Sequence, residues 1–249
     1  MRHKPIIEKK FIDNIKDSNI AQNHVMKSLA GDEEYIQAVS VYKEFLFKID
    51  YNKTITEAFL FALEKHEGQY YVWKKGRKLP YTYHLCKCAL NTAALSYEDK
   101  PIVIALWHDL LEDGKTTKKD IMNQLRNNCL NIPEIINALI LLDKGNSSSP
   151  KEYFSNILQN EDASLVKTAD LIANLDECID RFDEMIGNEQ RFWIYDYLIE
   201  IPQFFLNSKH LPATYNKIIS SKISKLRSLL SDKNQKEFKR YSREVRVHG

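Results

Sequence analysis

The run Ile102-Val103-Ile104-Ala105-Leu106-Trp107-His108-Asp109-Leu110-Leu111-Glu112-Asp113 is apolar until it reaches His108 and ends on carboxylates. A buried carboxylate without a partner is costly, so an Asp beside a His at the end of a core helix needs a cation or a hydrogen-bond donor. His84 lies 24 residues before His108, and Asp170 lies 61 residues after Asp109. Two imidazoles and two carboxylates make a donor set suited to a transition-metal ion. Glu112 and Asp113 follow His108 and Asp109 by four residues, one turn further along a continuing helix. There they are placed to orient an attacking water or to take its proton. Asn174, four residues after Asp170, is expected on the same face, with an amide suited to a ribose or phosphate oxygen.

These residues need helices to carry them. Thr54 is a candidate cap for a helix with apolar residues at helical spacing through Phe59, Leu60, Ala62 and Leu63, ending at His66 and Gly68. From Gln69 to Pro80 the sequence reads as a loop that is both aromatic (Tyr70, Tyr71, Trp73) and basic (Lys74, Lys75, Arg77, Lys78). The next helix carries His84. Pro101 fits the first turn of the His-Asp helix, which is expected to continue to Asp113 and stop at Gly114. Thr117 with Asp120 resembles a capping box, a further helix is expected from Pro133 to Asp143, and Pro150 opens another after a Gly-Asn-Ser connector. Asp170 falls on the helix after that. From about Glu189 the chain reads as three more helices, the first part rich in aromatic residues and the last part basic. Strand signals are scarce, so the expected fold class is all-α.

Composition sets outer bounds. The chain has 249 residues, 43% hydrophobic and 28% charged, as in an ordinary globular protein with a substantial core. Its formal charge of +2 does not by itself argue for nucleic acid. The N-terminus lacks the apolar stretch of a signal peptide, and no segment approaches the ~20 apolar residues of a membrane span. A cytoplasmic location and no membrane partner are expected. The four cysteines do not form a disulfide framework, and Cys86 and Cys88, two residues apart, point to different faces of a helix as packing thiols.

Three separated motifs resemble the HD-domain phosphohydrolases, and among them the guanosine 3′,5′-bispyrophosphate hydrolase domain of Rel/SpoT proteins and small alarmone hydrolases. Pro80-Tyr81-Thr82-Tyr83-His84 follows the basic loop, His108-Asp109-Leu110-Leu111-Glu112-Asp113 matches His-Asp-x-x-Glu-Asp, and Val166-Lys167-Thr168-Ala169-Asp170-Leu171-Ile172-Ala173-Asn174 matches Val-Lys-x-Ala-Asp-x-x-x-Asn. The likeness covers about Thr54 to Asp180, with Leu85 in place of the Pro that usually follows the first His. It implies an HD-type helical bundle with additional N- and C-terminal helices: an N-terminal extension over 1–50, a hydrolase domain over 51–205 and a basic extension over 206–249.

The resemblance further implies that His84, His108, Asp109 and Asp170 bind a divalent ion, usually Mn2+, and that Glu112 and Asp113 position and activate the attacking water. Lys74, Lys75, Arg77 and Lys78 would neutralise phosphate charge, with Asn174 as a further nucleotide contact. The expected reaction is hydrolysis of guanosine 3′,5′-bispyrophosphate to GDP and pyrophosphate, which would place the enzyme in the stringent response. Two other readings remain open at this point: an HD-type phosphohydrolase of different substrate, and a non-catalytic nucleotide sensor. His66 competes with His84 for the place of first ligand and is read as a structural or supporting residue. The basic segment from Lys222 to Arg246 is read as a solvated helix or tail, with nucleic-acid contact as the alternative.

Overall fold

The computed structural model describes residues 3–72, 77–113, 116–126, 130–185, 205–206, 212–230 and 236. Those residues are mostly helical, with a single small two-stranded sheet among them, which makes the fold all-α in class. The chain divides into two compact units, Met1–Asp170 and Leu171–Gly249.

The first unit begins with α1 (His3–Ile15), α2 (Asn19–Leu29), α3 (Glu33–Lys48) and α4 (Lys53–Lys65). Ser18, Asp32 and Asn52 cap the last three of these with side-chain oxygens. The cap of α4 is therefore Asn52 and not Thr54. Asn52 serves both ends of its amide: Oδ1 accepts from the Ile55 N–H, and Nδ2 donates to Asp99 at 2.9 Å, while Thr54 falls inside the helix.

The expected loop after His66 contains a hairpin. Gly68, at φ +75°, turns the chain into β1 (Tyr70–Val72), which pairs antiparallel with β2 (Lys78–Pro80) in the register Tyr71↔Leu79. Alternation sends Tyr71 and Leu79 inward while Tyr70 and Val72 stay exposed. Strands this short leave little periodic signal to read.

α5 (Thr82–Leu95) and α6 (Asp99–Trp107) pack on each other, with α3 against α5 and with α4 and α8 (Ile132–Leu142) against α6. Every residue from Pro101 to Trp107 is buried, as befits a helix surrounded by others. α6 stops at Trp107, six residues earlier than the apolar pattern suggested, and residues 108–113 form consecutive turns. The cause is local. His108 Nδ1 donates to the Ala105 carbonyl at 2.8 Å, taking over one of the acceptors that a helix end leaves unpaired.

α7 (Lys118–Leu125) opens with the expected Thr117–Asp120 capping box. Asn131 caps α8, and after a short 3-10 turn (Lys144–Asn146) Ser149 caps α9 (Pro150–Leu158). α10 (Glu161–Asp180) carries Asp170, and the break between the two units falls within it. In the second unit the remainder of α10, α11 (Phe182–Met185) and α12 (Ala213–Ser228) are described, with Leu175, Cys178, Phe182, Ile219 and Leu226 among its buried residues. Of the three helices expected after Glu189, α12 is the one within the described residues; the aromatic stretch from Phe192 to Phe204 and the basic tail at Lys239, Arg240, Arg243 and Arg246 lie outside them.

Trp107 is fully buried at the foot of the turn that bears His108, with Nε1 donating to the Ala58 carbonyl at 2.9 Å and its ring against Phe61. Trp107→Ala should destabilise the protein by about 3–5 kcal/mol in urea unfolding, whereas Tyr97→Ala, at an 87% exposed position, should change it by no more than ~0.5 kcal/mol.

Candidate metal centre

Three elements of the first unit meet at their polar residues. The first turn of α5 supplies His84, the turn after α6 supplies His108 and Asp109, and α10 supplies Asp170. One donor atom from each of His84, His108 and Asp109 lies within 4.8 Å of the others, a spacing that could hold a metal ion. Asp170 joins through Oδ1, 3.3 Å from His84 Nε2 and 3.9 Å from His108 Nε2. His108 Nε2 is 3.0 Å from Asp109 Oδ2. Both imidazoles thus turn Nε2 toward carboxylate oxygens. For His108 the tautomer is fixed, since a carbonyl can only accept and Nδ1 must carry the proton that reaches Ala105. The neutral ring then presents a lone pair at Nε2, the form that ligates metal.

Surrounding groups hold these donors in place. Tyr81, just before α5, donates its hydroxyl proton to Asp109 Oδ2 at 2.6 Å. Lys167, one turn before Asp170 and itself buried, donates to Asp170 Oδ2 at 2.7 Å, leaving Oδ1 toward the imidazoles. Tyr71 stacks on His84 with ring centroids 5.2 Å apart and planes 15° from parallel. The sequence motifs contained Tyr81 and Lys167 without assigning them these tasks. For Lys167 a signal was present, since it lies three residues before Asp170, the spacing at which side chains of one helical turn meet; the Tyr81 bond to Asp109 spans 28 residues and carried none.

Burial opposes charge on these groups, but their neighbours outweigh it. The Asp109 and Asp170 carboxylates and the Ala105 carbonyl push the His108 imidazole up to about 9 despite its burial. Asp109 is held below the ordinary carboxylate range by His108, with His84 adding to the effect, against the cost of burial. Asp170 is likewise held well below that range, with Lys167 the main favourable partner. The Tyr81 hydroxyl, buried and bonded to a carboxylate, is shifted far upward and stays protonated as a donor.

The other candidate residues take varied positions. Asp113 Oδ2 accepts from Gln69 Nε2 at 2.6 Å and lies 3.6 Å from His66 Nδ1, while Glu112 Oε1 faces Lys144 at 3.6 Å. His66 is buried, with its ring stacked on Tyr81 at 5.0 Å, and lies outside the group of converging donors. Arg77 forms an ion pair with Glu33 in the first turn of α3, and the Lys78 N–H donates to Glu34 Oε1 at 3.1 Å. Lys74 and Lys75 lie outside the described residues. Asn174 is buried on α10 beyond Asp170 and belongs to the second unit.

No family model and no curated protein matches the chain. No helix among the described residues is long and apolar enough to cross a membrane.

Tyr81→Phe keeps the ring stack on His66 but removes the proton donor to Asp109, and should weaken Mn2+ binding roughly 10–100-fold by calorimetric titration. A pH series tests the His108 environment. Its pKa is raised on folding, so its contribution to the metal-free fold is complete below about 6.5 and is lost as pH rises through about 9. Thermal stability in the presence of chelator should therefore fall between those values, and His108→Gln should remove that part of the slope. With saturating Mn2+ the trend should reverse, because ligation requires the neutral ring.

Proposed function

We propose that the protein is a cytoplasmic HD-type metal-dependent phosphohydrolase that hydrolyses guanosine 3′,5′-bispyrophosphate to GDP and pyrophosphate. The observation that carries this reading is the convergence of His84, His108 and Asp109, with Asp170 against both imidazoles, from three separated motifs. The donor set fits a divalent ion such as Mn2+, with His84, His108, Asp109 and Asp170 as its ligands. Such an ion would supply Lewis acidity toward the phosphoryl group and make hydroxide accessible near neutral pH.

The protein's own groups perform the remaining tasks. Asp113, fixed by Gln69, takes a proton from the attacking water as its oxygen bonds to the phosphorus on O3′. The P–O3′ bond breaks, pyrophosphate leaves, and O3′ takes up the proton held by Asp113 to become the ribose hydroxyl. Glu112 orients the water from the same turn. Lys74, Lys75, Arg77 and Lys78 counter phosphate charge. Engagement of Arg77 by substrate requires release from Glu33, an exchange that costs little because exposed ion pairs are worth only about 0–1 kcal/mol.

The test is incubation of the protein with guanosine 3′,5′-bispyrophosphate, with and without Mn2+, beside Asp109→Ala, with products separated by anion exchange. Metal-dependent pyrophosphate release that falls at least ~100-fold in the variant is expected. Orthophosphate release would point to a different phosphohydrolase chemistry, and absence of turnover by the metal-loaded protein would overturn the substrate assignment.

A further inference from the structure

Behind Asp113 lies a buried imidazole whose hydrogen bonding is half complete. Gln69 is pinned by its backbone, its N–H donating to the His66 carbonyl and its own carbonyl accepting from the Tyr81 N–H. Its side-chain Nε2 donates to Asp113 Oδ2 at 2.6 Å, and its Oε1 lies 2.7 Å from His66 Nδ1. An ionised carboxylate can only accept, so the amide nitrogen must face Asp113 and the amide oxygen must face His66. That oxygen also only accepts. His66 therefore carries its proton on Nδ1.

The consequence falls on Nε2. It must be a bare acceptor, yet the His66 side chain is 0% exposed and Nε2 has no hydrogen-bond partner among the described residues. A buried polar atom of this kind normally has a donor. His66 lines a cavity of about 10 Å3 together with His24, Glu67 and Thr82, close to the space needed for one water molecule. His24 Nε2 and Glu67 Oε2 stand 3.4 Å apart and supply polar partners in the same wall. Burial also pushes the His66 pKa down, against the pull of Gln69 and the nearby carboxylates, which keeps the ring neutral.

We propose that one ordered water molecule occupies this cavity, donates to His66 Nε2, and so fixes the Nδ1–H tautomer through which His66 and Gln69 orient Asp113. His66 is thus a positioning residue acting through Gln69, and α2 contributes His24 to the cavity wall. The role of Asp113 in this proposal rests on the hydrolase reading above.

Histidine 15N NMR of the full-length protein and a high-resolution crystal structure test the water and the tautomer without reference to turnover. Expected are a protonated Nδ1, an unprotonated Nε2 and a water within hydrogen-bond distance of Nε2; an Nε2–H tautomer or an empty cavity would overturn the proposal. The positioning role is read from two variants. His66→Phe keeps a ring against Tyr81 but has no donor, and should lower kcat roughly 10–100-fold with Mn2+ affinity retained. His66→Asn, whose amide nitrogen lies near the Nδ1 position, should recover most of that loss. Equal impairment of both variants, or full activity of His66→Phe, contradicts the positioning role. If the wild-type protein turns over no guanosine 3′,5′-bispyrophosphate, the substrate assignment fails while the NMR and crystallographic results still decide the water and the tautomer.

Discussion

Two carboxylates drawn largely out of water, Asp109 and Asp170, impose the constraint on which this site depends. Charge removed from solvent must be compensated nearby, and the compensation is divided among residues from different parts of the first unit. His108 faces Asp109, Lys167 faces Asp170, Tyr81 donates to Asp109, and His84 contacts Asp170. On Asp170 and His108 the bond uses one side of the group and leaves the other turned toward the common centre. Lys167 occupies Asp170 Oδ2 and leaves Oδ1 to the imidazoles, while Ala105 holds His108 Nδ1 and leaves Nε2. The same interactions that make burial tolerable also aim the donors.

The fold's task is to bring those partners together from positions far apart in the chain. α6 is apolar on all sides and is held by α4, α5 and α8, so the turn that follows it starts from a rigid base. At the end of α6 the His108 ring bonds the carbonyl of Ala105, tying the site to the helix terminus. The hairpin contributes from the opposite direction. Its inward Tyr71 packs on His84, and the residues at its two ends, Gln69 and Tyr81, reach Asp113 and Asp109. Rigid elements bearing locked side chains hold a site more closely than loops alone.

The sequence made the helical class legible, along with the caps at Thr117 and the helix starting at Pro150, because these depend on local patterns. The ligand candidates were legible through residue type: His and Asp at the edge of an apolar run are expensive unless partnered. What sequence reading missed depends on contacts across the fold. At the end of α6 a side chain bonds a helix carbonyl, Asn52 and not Thr54 caps α4, and strands of three residues were too short for their alternation to register. Arg77 reads as a substrate contact through the resemblance, and its ion pair with Glu33 appears only once α3 is set beside the hairpin. The links from Tyr81 to Asp109 and from Gln69 to Asp113 span 28 and 44 residues and leave no mark on local periodicity.

The most direct measurement of the central claim is an anomalous difference map, at the manganese edge, from crystals of the protein grown with Mn2+. Expected is a single strong peak bonded to Nε2 of His84 and of His108 and to carboxylate oxygens of Asp109 and Asp170, with Lys167 still on the remaining oxygen of Asp170. A Mn2+ peak elsewhere, or none at this cluster at saturating metal, would contradict the account: the cluster would then be a buried ion-pair network and not a metal centre.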